Sequence, residues 1–430
     1  MRGEPGLDES RTIGTKPPAG ARVPKPPKAV QFGAGIISGA SDNDPTTVAT
    51  LAVIGSTVTY GLAWLTLLII PMLAIVQAIA AQVGAVSKRG LEDCVRARYG
   101  RAWASLALAS LLIVNIITLA ADLEGGGAAL GLLTSINYRW WLIPFAAGML
   151  TVLIVGKYKQ IERVLRYLAL LFLTYFASVI LARPDWHAVL VASFVPRFNL
   201  EPATVSGAIA LLGTTLTAYA YVWETIEMSE ERPPVSRIGL VQVDSTLGIV
   251  VAGLTFWAIE ITTGATLGVH HHVVQTAQDA AEALVPLAGR FAAMIFGLGL
   301  LASAIIAVPV IAATSAYVSA EMFGWRKSLD AKFSAAPEFY ALLIGSTVIA
   351  LAIAFAGVPP IKLLYFSGIA GGIATPFTLV LMLLVGRDRT VMHRHVIPSG
   401  LAVAGWAVAA VVTAASGIYL YQTFTGAGGS

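Results

Sequence analysis

The chain has 430 residues, of which 57% are hydrophobic and 12% charged, with a formal charge of +4 and a mean hydropathy of +0.76. Soluble domains carry about 25% charged residues, so this composition excludes a cytosolic or secreted globular protein and predicts an all-α polytopic membrane protein. The single cysteine, Cys94, excludes an internal disulfide and a thiolate metal cluster.

Residues 1–29 are polar and rich in Pro, Gly and Lys, and read as a disordered cytoplasmic tail with no apolar signal segment. Eleven apolar segments follow, near 30–56, 61–86, 103–133, 140–156, 162–181, 203–228, 240–266, 284–320, 338–357, 361–386 and 396–422. About 20 apolar residues cross a bilayer core, so these read as 11 transmembrane helices. With the N-terminus inside, all but five of the 28 Lys and Arg residues fall in the tail or in cytoplasmic loops. The five outside are Arg139, Arg183, Arg197, Arg290 and Lys362. Basic residues are retained on the cytoplasmic side, so the asymmetry fits an inside N-terminus and an outside C-terminus. The basic pI near 9.1 thus reports topology, and no nucleic-acid partner is expected.

Span 1 is interrupted by Ser41-Asp42-Asn43-Asp44-Pro45-Thr46-Thr47. Pro45 removes a helical hydrogen bond and pushes Asp44 out of the α region. Charge and irregular backbone at membrane depth are tolerated where they face a cavity or a partner. The stretch therefore reads as the unwound centre of a broken helix offering carbonyls and carboxylates to a cation; a proline kink with snorkelling acids is the plainer alternative. Span 3 carries Asp122 and Glu124 beside Gly125-Gly126-Gly127. In this glycine-rich stretch, which reads as hydrated, these acids would relay a proton or add negative charge to a cation path, and the electrostatic role is the favoured one.

Span 6 holds Gly213-Thr214-Thr215-Leu216-Thr217-Ala218-Tyr219, followed by Glu224, Glu227, Glu230 and Glu231. An ordinary helix with threonine back-bonding explains the first group equally well; the glutamates form either an acidic exit vestibule or a solvated helix end. Interrupted segments at matching places in two halves mark inverted-repeat transporters that bind substrate at the midplane. Spans 1–5 (30–181) and 6–10 (203–386) would be the repeats, joined by an extracellular linker (182–202), with residues 387–430 supplying a loop and helix 11. His270-His271-His272, in the outer loop after span 7, reads as an exposed segment rather than a metal site. Trp223 and Trp257 read as lipid-facing or packing residues. No nucleotide-binding loop and no nucleophile–base constellation is evident, so neither a nucleotide-driven pump nor an enzyme is expected.

These residues resemble the Nramp divalent-metal transporter superfamily, which has a LeuT-like 5+5 inverted-repeat fold with helices 1 and 6 broken. Asp44-Pro45-Thr46-Thr47 stands where the family carries Asp-Pro-Gly-Asn, and Thr217-Ala218-Tyr219 where it carries Met-Pro-His. The likeness extends to Asp122, to the Pro309 stretch ending Ala320-Glu321-Met322-Phe323-Gly324-Trp325, and to Thr375-Pro376. The departures are similar to an Nramp-related branch implicated in magnesium transport. The resemblance implies that the transported ion meets Asp44, Thr47 and Thr217, the carbonyls of Ser41 and Thr214, and nearby Asp42 and Tyr219.

A thioether suits softer metals, and an all-oxygen set suits hard ions. Magnesium keeps several waters and needs one or two carboxylates, so the substitutions favour partly hydrated Mg²⁺, with Mn²⁺ second. Tyr219 replaces the family's histidine and Ala374 its span 10 glutamine; tyrosine titrates near pH 10 in the reference state. The expected activity is therefore alternating-access transport of Mg²⁺ (and Mn²⁺) without proton coupling, in a bacterial-type plasma membrane, with no cofactor and no nucleotide. The alternatives are a proton-coupled Nramp-type symporter of Mn²⁺ and other transition metals and, further off, an amino-acid permease of the same fold. The path residues would be Asp122, Glu124 and Glu224.

Overall fold

The computed structural model describes residues 43–155, 173–234, 238–327, 329 and 333–426. All regular structure among them is helical. The tail, Ser41, Asp42, the first half of span 1 and the loop joining spans 4 and 5 lie outside the described residues.

The second half of span 1 is α1 (Pro45–Val58), started by proline at its first turn, where a missing N–H costs nothing. Next come α2 (Ala63–Ser87), the short α3 (Leu91–Tyr99), α4 (Arg101–Thr134), α5 (Arg139–Val155), α6 (Leu173–Leu181) and α7 (Trp186–Phe194). Span 6 is two helices, α8 (Pro202–Thr215) and α9 (Ala218–Glu231), and α10 (Ile238–Thr266) follows. Short α11 (Ala277–Glu282) and α12 (Val285–Ala288) precede α13 (Ala292–Phe323), α14 (Pro337–Ala354), α15 (Pro360–Arg387), α16 (Arg389–Met392) and α17 (Ser399–Thr425). Eight helical stretches among the described residues are long and apolar enough to cross a membrane, and α1 and α5 are shorter apolar helices.

Span 8 differs from its sequence expectation of 284–320. Its continuous helix starts at Ala292, because Gly289 takes φ +49° and a 3₁₀ turn separates it from α12. The helices α3 and α7 were not anticipated in the loops that hold them.

The short α1 is the centre of the bundle, packed by α4, α8, α10, α13 and α15. Helices in lipid gain little from the hydrophobic effect and associate through close packing of small residues. At the α8–α15 crossing a Cβ on Gly213 would collide with the backbone of Gly368 and Gly372. At Gly125, a Cβ would sit 2.8 Å from the Pro45 ring, so this glycine lets α4 reach the start of α1.

Candidate functional site

The site is built where two helices start inside the bundle. Asp44 caps α1 with extended backbone (φ −69°, ψ 163°), and its Oδ1 accepts the Thr47 N–H at 2.6 Å. Aspartate is a favoured cap because its carboxylate satisfies an N–H that the first turn leaves open. The same carboxylate faces span 6. The Thr214 hydroxyl donates to Oδ1 at 3.4 Å and the Tyr219 hydroxyl donates to Oδ2 at 3.0 Å. Thr47 Oγ1 and Thr214 Oγ1 lie 2.8 Å apart.

Span 6 breaks between Thr215 and Ala218. Leu216 ends α8, and Thr217 turns to extended backbone (φ −60°, ψ 139°) as the cap of α9. The carbonyls that end a helix have no partner within it. One is supplied from α15, where Thr375 Oγ1 donates to the Leu216 carbonyl at 3.2 Å. The alternative of an unbroken span 6 with threonine back-bonding therefore fails, although Thr215 does back-bond, to the Leu211 carbonyl at 2.6 Å.

Asp44, Thr47, Thr214, Thr217 and Tyr219 are brought together at these breaks, each at most 5% exposed. Thr214 reaches Asp44 through its hydroxyl, whereas the sequence reading assigned its carbonyl. Asn43, buried at 3%, Thr46 and Thr375 belong to the same neighbourhood and are not among the ion contacts expected from the sequence. Thr46 donates to Asp122 Oδ1 at 2.9 Å, linking the start of α1 to α4. Neighbouring polar pairs continue along α4: Thr118 with Ser367 at 2.8 Å, and Asn115 with Ser315 at 3.0 Å.

The acids of span 3 are not in a hydrated stretch, as the sequence reading had them. Asp122 and Glu124 are both 0% exposed. Neither Glu124 carboxylate oxygen has a hydrogen-bond partner among the described residues. The triple glycine explains the difference, since it admits Pro45, Phe145 and Leu142 against α4 instead of water.

Glu224 is likewise buried, while Glu230 and Glu231 are exposed, so a uniformly solvated helix end is excluded. His270, His271 and His272 are exposed, and His272 lies 3.7 Å from Glu282. Among the described residues no group of three or more His, Cys, Asp or Glu side chains is arranged to hold a metal ion. The partners of the Asp44 carboxylate are the Thr47 N–H and the hydroxyls of Thr214 and Tyr219. Trp223 packs edge-on against Tyr317 and Trp257 bonds to Ser193, so both serve packing.

The family model "Natural resistance-associated macrophage protein-like" (Nramp) matches residues 35–422. The chain is 26% identical to the divalent metal cation transporter MntH of Deinococcus radiodurans, over 96% of this chain and 93% of the relative. It is 28% identical to MntH of Xylella fastidiosa strain 9a5c, over 86% and 80%. Among solved structures it resembles a variant of the Eremococcus coleocola manganese transporter, with TM-score 0.73, 17% identity and coverage of 93% and 87%. It also resembles MhsT in complex with L-phenylalanine, with TM-score 0.58, 14% identity and coverage of 92% and 98%.

Proposed function

We propose that this chain, which belongs to the Nramp family of divalent metal transporters, carries hard divalent cations on an oxygen-only site between the starts of α1 and α9. As a family member it is an integral membrane transporter of divalent metal and not an enzyme, and the ion is its substrate. The finer reading concerns which ion. Manganese is the metal named for the related structure, and oxygen donors accept manganese and magnesium alike.

The observation that carries the reading is the ring of oxygens around Asp44: Thr47, Thr214 and Tyr219 within 3.4 Å or less of one another or of the carboxylate. Among the described residues no methionine, histidine or cysteine joins it. Asp44 is the anionic ligand, Thr47, Thr214 and Thr217 supply neutral oxygens, and Tyr219 orients the carboxylate. Ser41 and Asp42 remain proposed contributors from just before α1. Calorimetric titration of the purified protein with MnCl₂ and with MgCl₂ tests this. Binding of both ions, lost in Asp44→Asn, is expected; binding unchanged in that variant rejects the site.

Coupling is a separate question. The expectation of uncoupled movement rested partly on water around Asp122 and Glu124. Both are buried, and an unpartnered carboxylate in such a place costs several kcal/mol. That observation favours a second reading, in which metal entry is accompanied by a proton. Asp122 is the proposed carrier, because Thr46 links it to the ion site. An amino-acid permease, as the shared fold with MhsT would allow, is opposed by the anionic Asp44 where a substrate carboxylate would have to sit.

A further inference from the structure

Three helical stretches that are apolar enough to cross the membrane end at one cavity. Ser87 closes α2, Glu231 closes α9 and Phe323 closes α13. Just past these ends Lys88, Arg89, Arg232 and Lys327 line a cavity of about 510 Å³, together with Asp93 and Glu230. Small-molecule sites usually occupy about 300–1,000 Å³.

The charges lining this cavity do not cancel. Lys327 is bonded to Glu321 at 2.5 Å and lies 3.9 Å from Asp93. Asp93 also holds Arg96 at 2.9 Å. Glu230 has an interaction of its own. Lys88, Arg89 and Arg232 have no carboxylate within ion-pair distance among the described residues. Lys88 and Arg232 are the left-handed caps of α2 and α9 (φ 56° and 49°), and a helix C-terminus favours a cation. Arg89 lies beyond that influence. Three cations thus converge from two chain segments far apart in sequence, all of them exposed.

We propose that this cavity binds the phosphate of an anionic lipid headgroup. The chemistry recognised is a phosphate oxygen held by several cations. The lipid source follows from position, since Lys88 and Arg232 are the first residues beyond their apolar spans, where headgroups lie. A bound headgroup bridges the α2–α3 junction, the end of α9 and the segment after α13. The other end of α9 begins at Thr217 and Tyr219, so the lipid braces the helix that presents the ion site. Basic residues at a membrane surface attract anionic lipid by roughly fivefold each.

The test is titration of the purified full-length protein in detergent with short-chain phosphatidylglycerol, read as Tm and as bound lipid by native mass spectrometry. Phosphatidylcholine, glycerol phosphate and inorganic phosphate are the parallel arms. The expected result is saturable stabilisation by phosphatidylglycerol alone. The triple substitution Lys88→Gln, Arg89→Gln, Arg232→Gln is expected to need at least tenfold more lipid. Arg389→Gln with Arg394→Gln, on another basic loop, is expected to titrate like the parent chain. If the triple variant does not fold, Arg89→Gln alone is expected to weaken binding roughly fivefold. An unchanged titration in the folded variant tested, triple or single, overturns the site. So does equal weakening in the control pair, which reports surface charge in general. Saturation by inorganic phosphate at the lipid's concentrations overturns the lipid source. None of these readouts depends on which metal is carried.

Discussion

The hydroxyl of Tyr219 donates to Oδ2 of Asp44 at 3.0 Å, joining the second residue of α9 directly to the cap of α1. The starts of α1 and α9 are thereby tied through the carboxylate proposed to hold the ion. A hydrogen bond to a charged group contributes about 1.5–3 kcal/mol. Tyr219→Phe is therefore expected to raise the KM for metal uptake about tenfold or more in a protein that still folds. An unchanged KM in initial-rate uptake would remove Tyr219 from the site.

Ion preference should follow the donor atoms. Thr217→Met combined with Thr47→Asn introduces a thioether and an amide at the two breaks. Uptake of cadmium and cobalt relative to magnesium is expected to rise several-fold, because a sulfur donor suits softer ions. A flat preference in a folded double variant would separate selectivity from these side chains.

If Asp122 carries a proton, Asp122→Asn should uncouple it from the metal. Acidification of the liposome lumen accompanies metal entry in the parent chain and disappears in the variant, while metal still moves down its gradient. Metal entry with no luminal acidification in the parent chain returns the account to uncoupled transport.

Away from the membrane-spanning helices, Glu92 on α3 supplies a pH test. Burial, reinforced by the neighbouring Glu321 and Asp93 carboxylates and opposed by Arg96, pushes its carboxyl up to about 8. Between the ordinary glutamate range and that value the unfolded chain has released the proton and the folded chain keeps it. Stability therefore falls as pH rises through this window. Glu92→Gln removes the term, so its Tm relative to the parent chain should climb between pH 5 and pH 8.5. A constant Tm difference across that range would show that Glu92 does not hold the proton.

How much of this was legible depended on distance along the chain. Pro45 marked the start of α1, because proline geometry acts locally, whereas the threonines of span 6 fitted an unbroken helix equally well and only the backbone at Leu216 and Thr217 settled that break. The bond from Thr46 to Asp122 spans 76 positions and that from Thr375 to Leu216 spans 159; no local pattern announces such pairs. Glu124 misled for a related reason. A glutamate beside three glycines looks wet in sequence, yet in the fold those glycines are what admit Pro45, Leu142 and Phe145. Glu92 stood in a loop between spans, where charge is normally solvated. In the fold α3 packs against α4, α13 and α15, and Glu92 is buried.

The central claim is that Asp44 holds a hard divalent cation with oxygen donors alone. Its most direct test is uptake of Mg²⁺ and of Mn²⁺ into liposomes containing the pure protein, with Asp44→Asn measured in parallel. The account predicts that both ions enter through the parent chain and that neither enters through the variant. Undiminished uptake of either ion by a folded Asp44→Asn protein would contradict it.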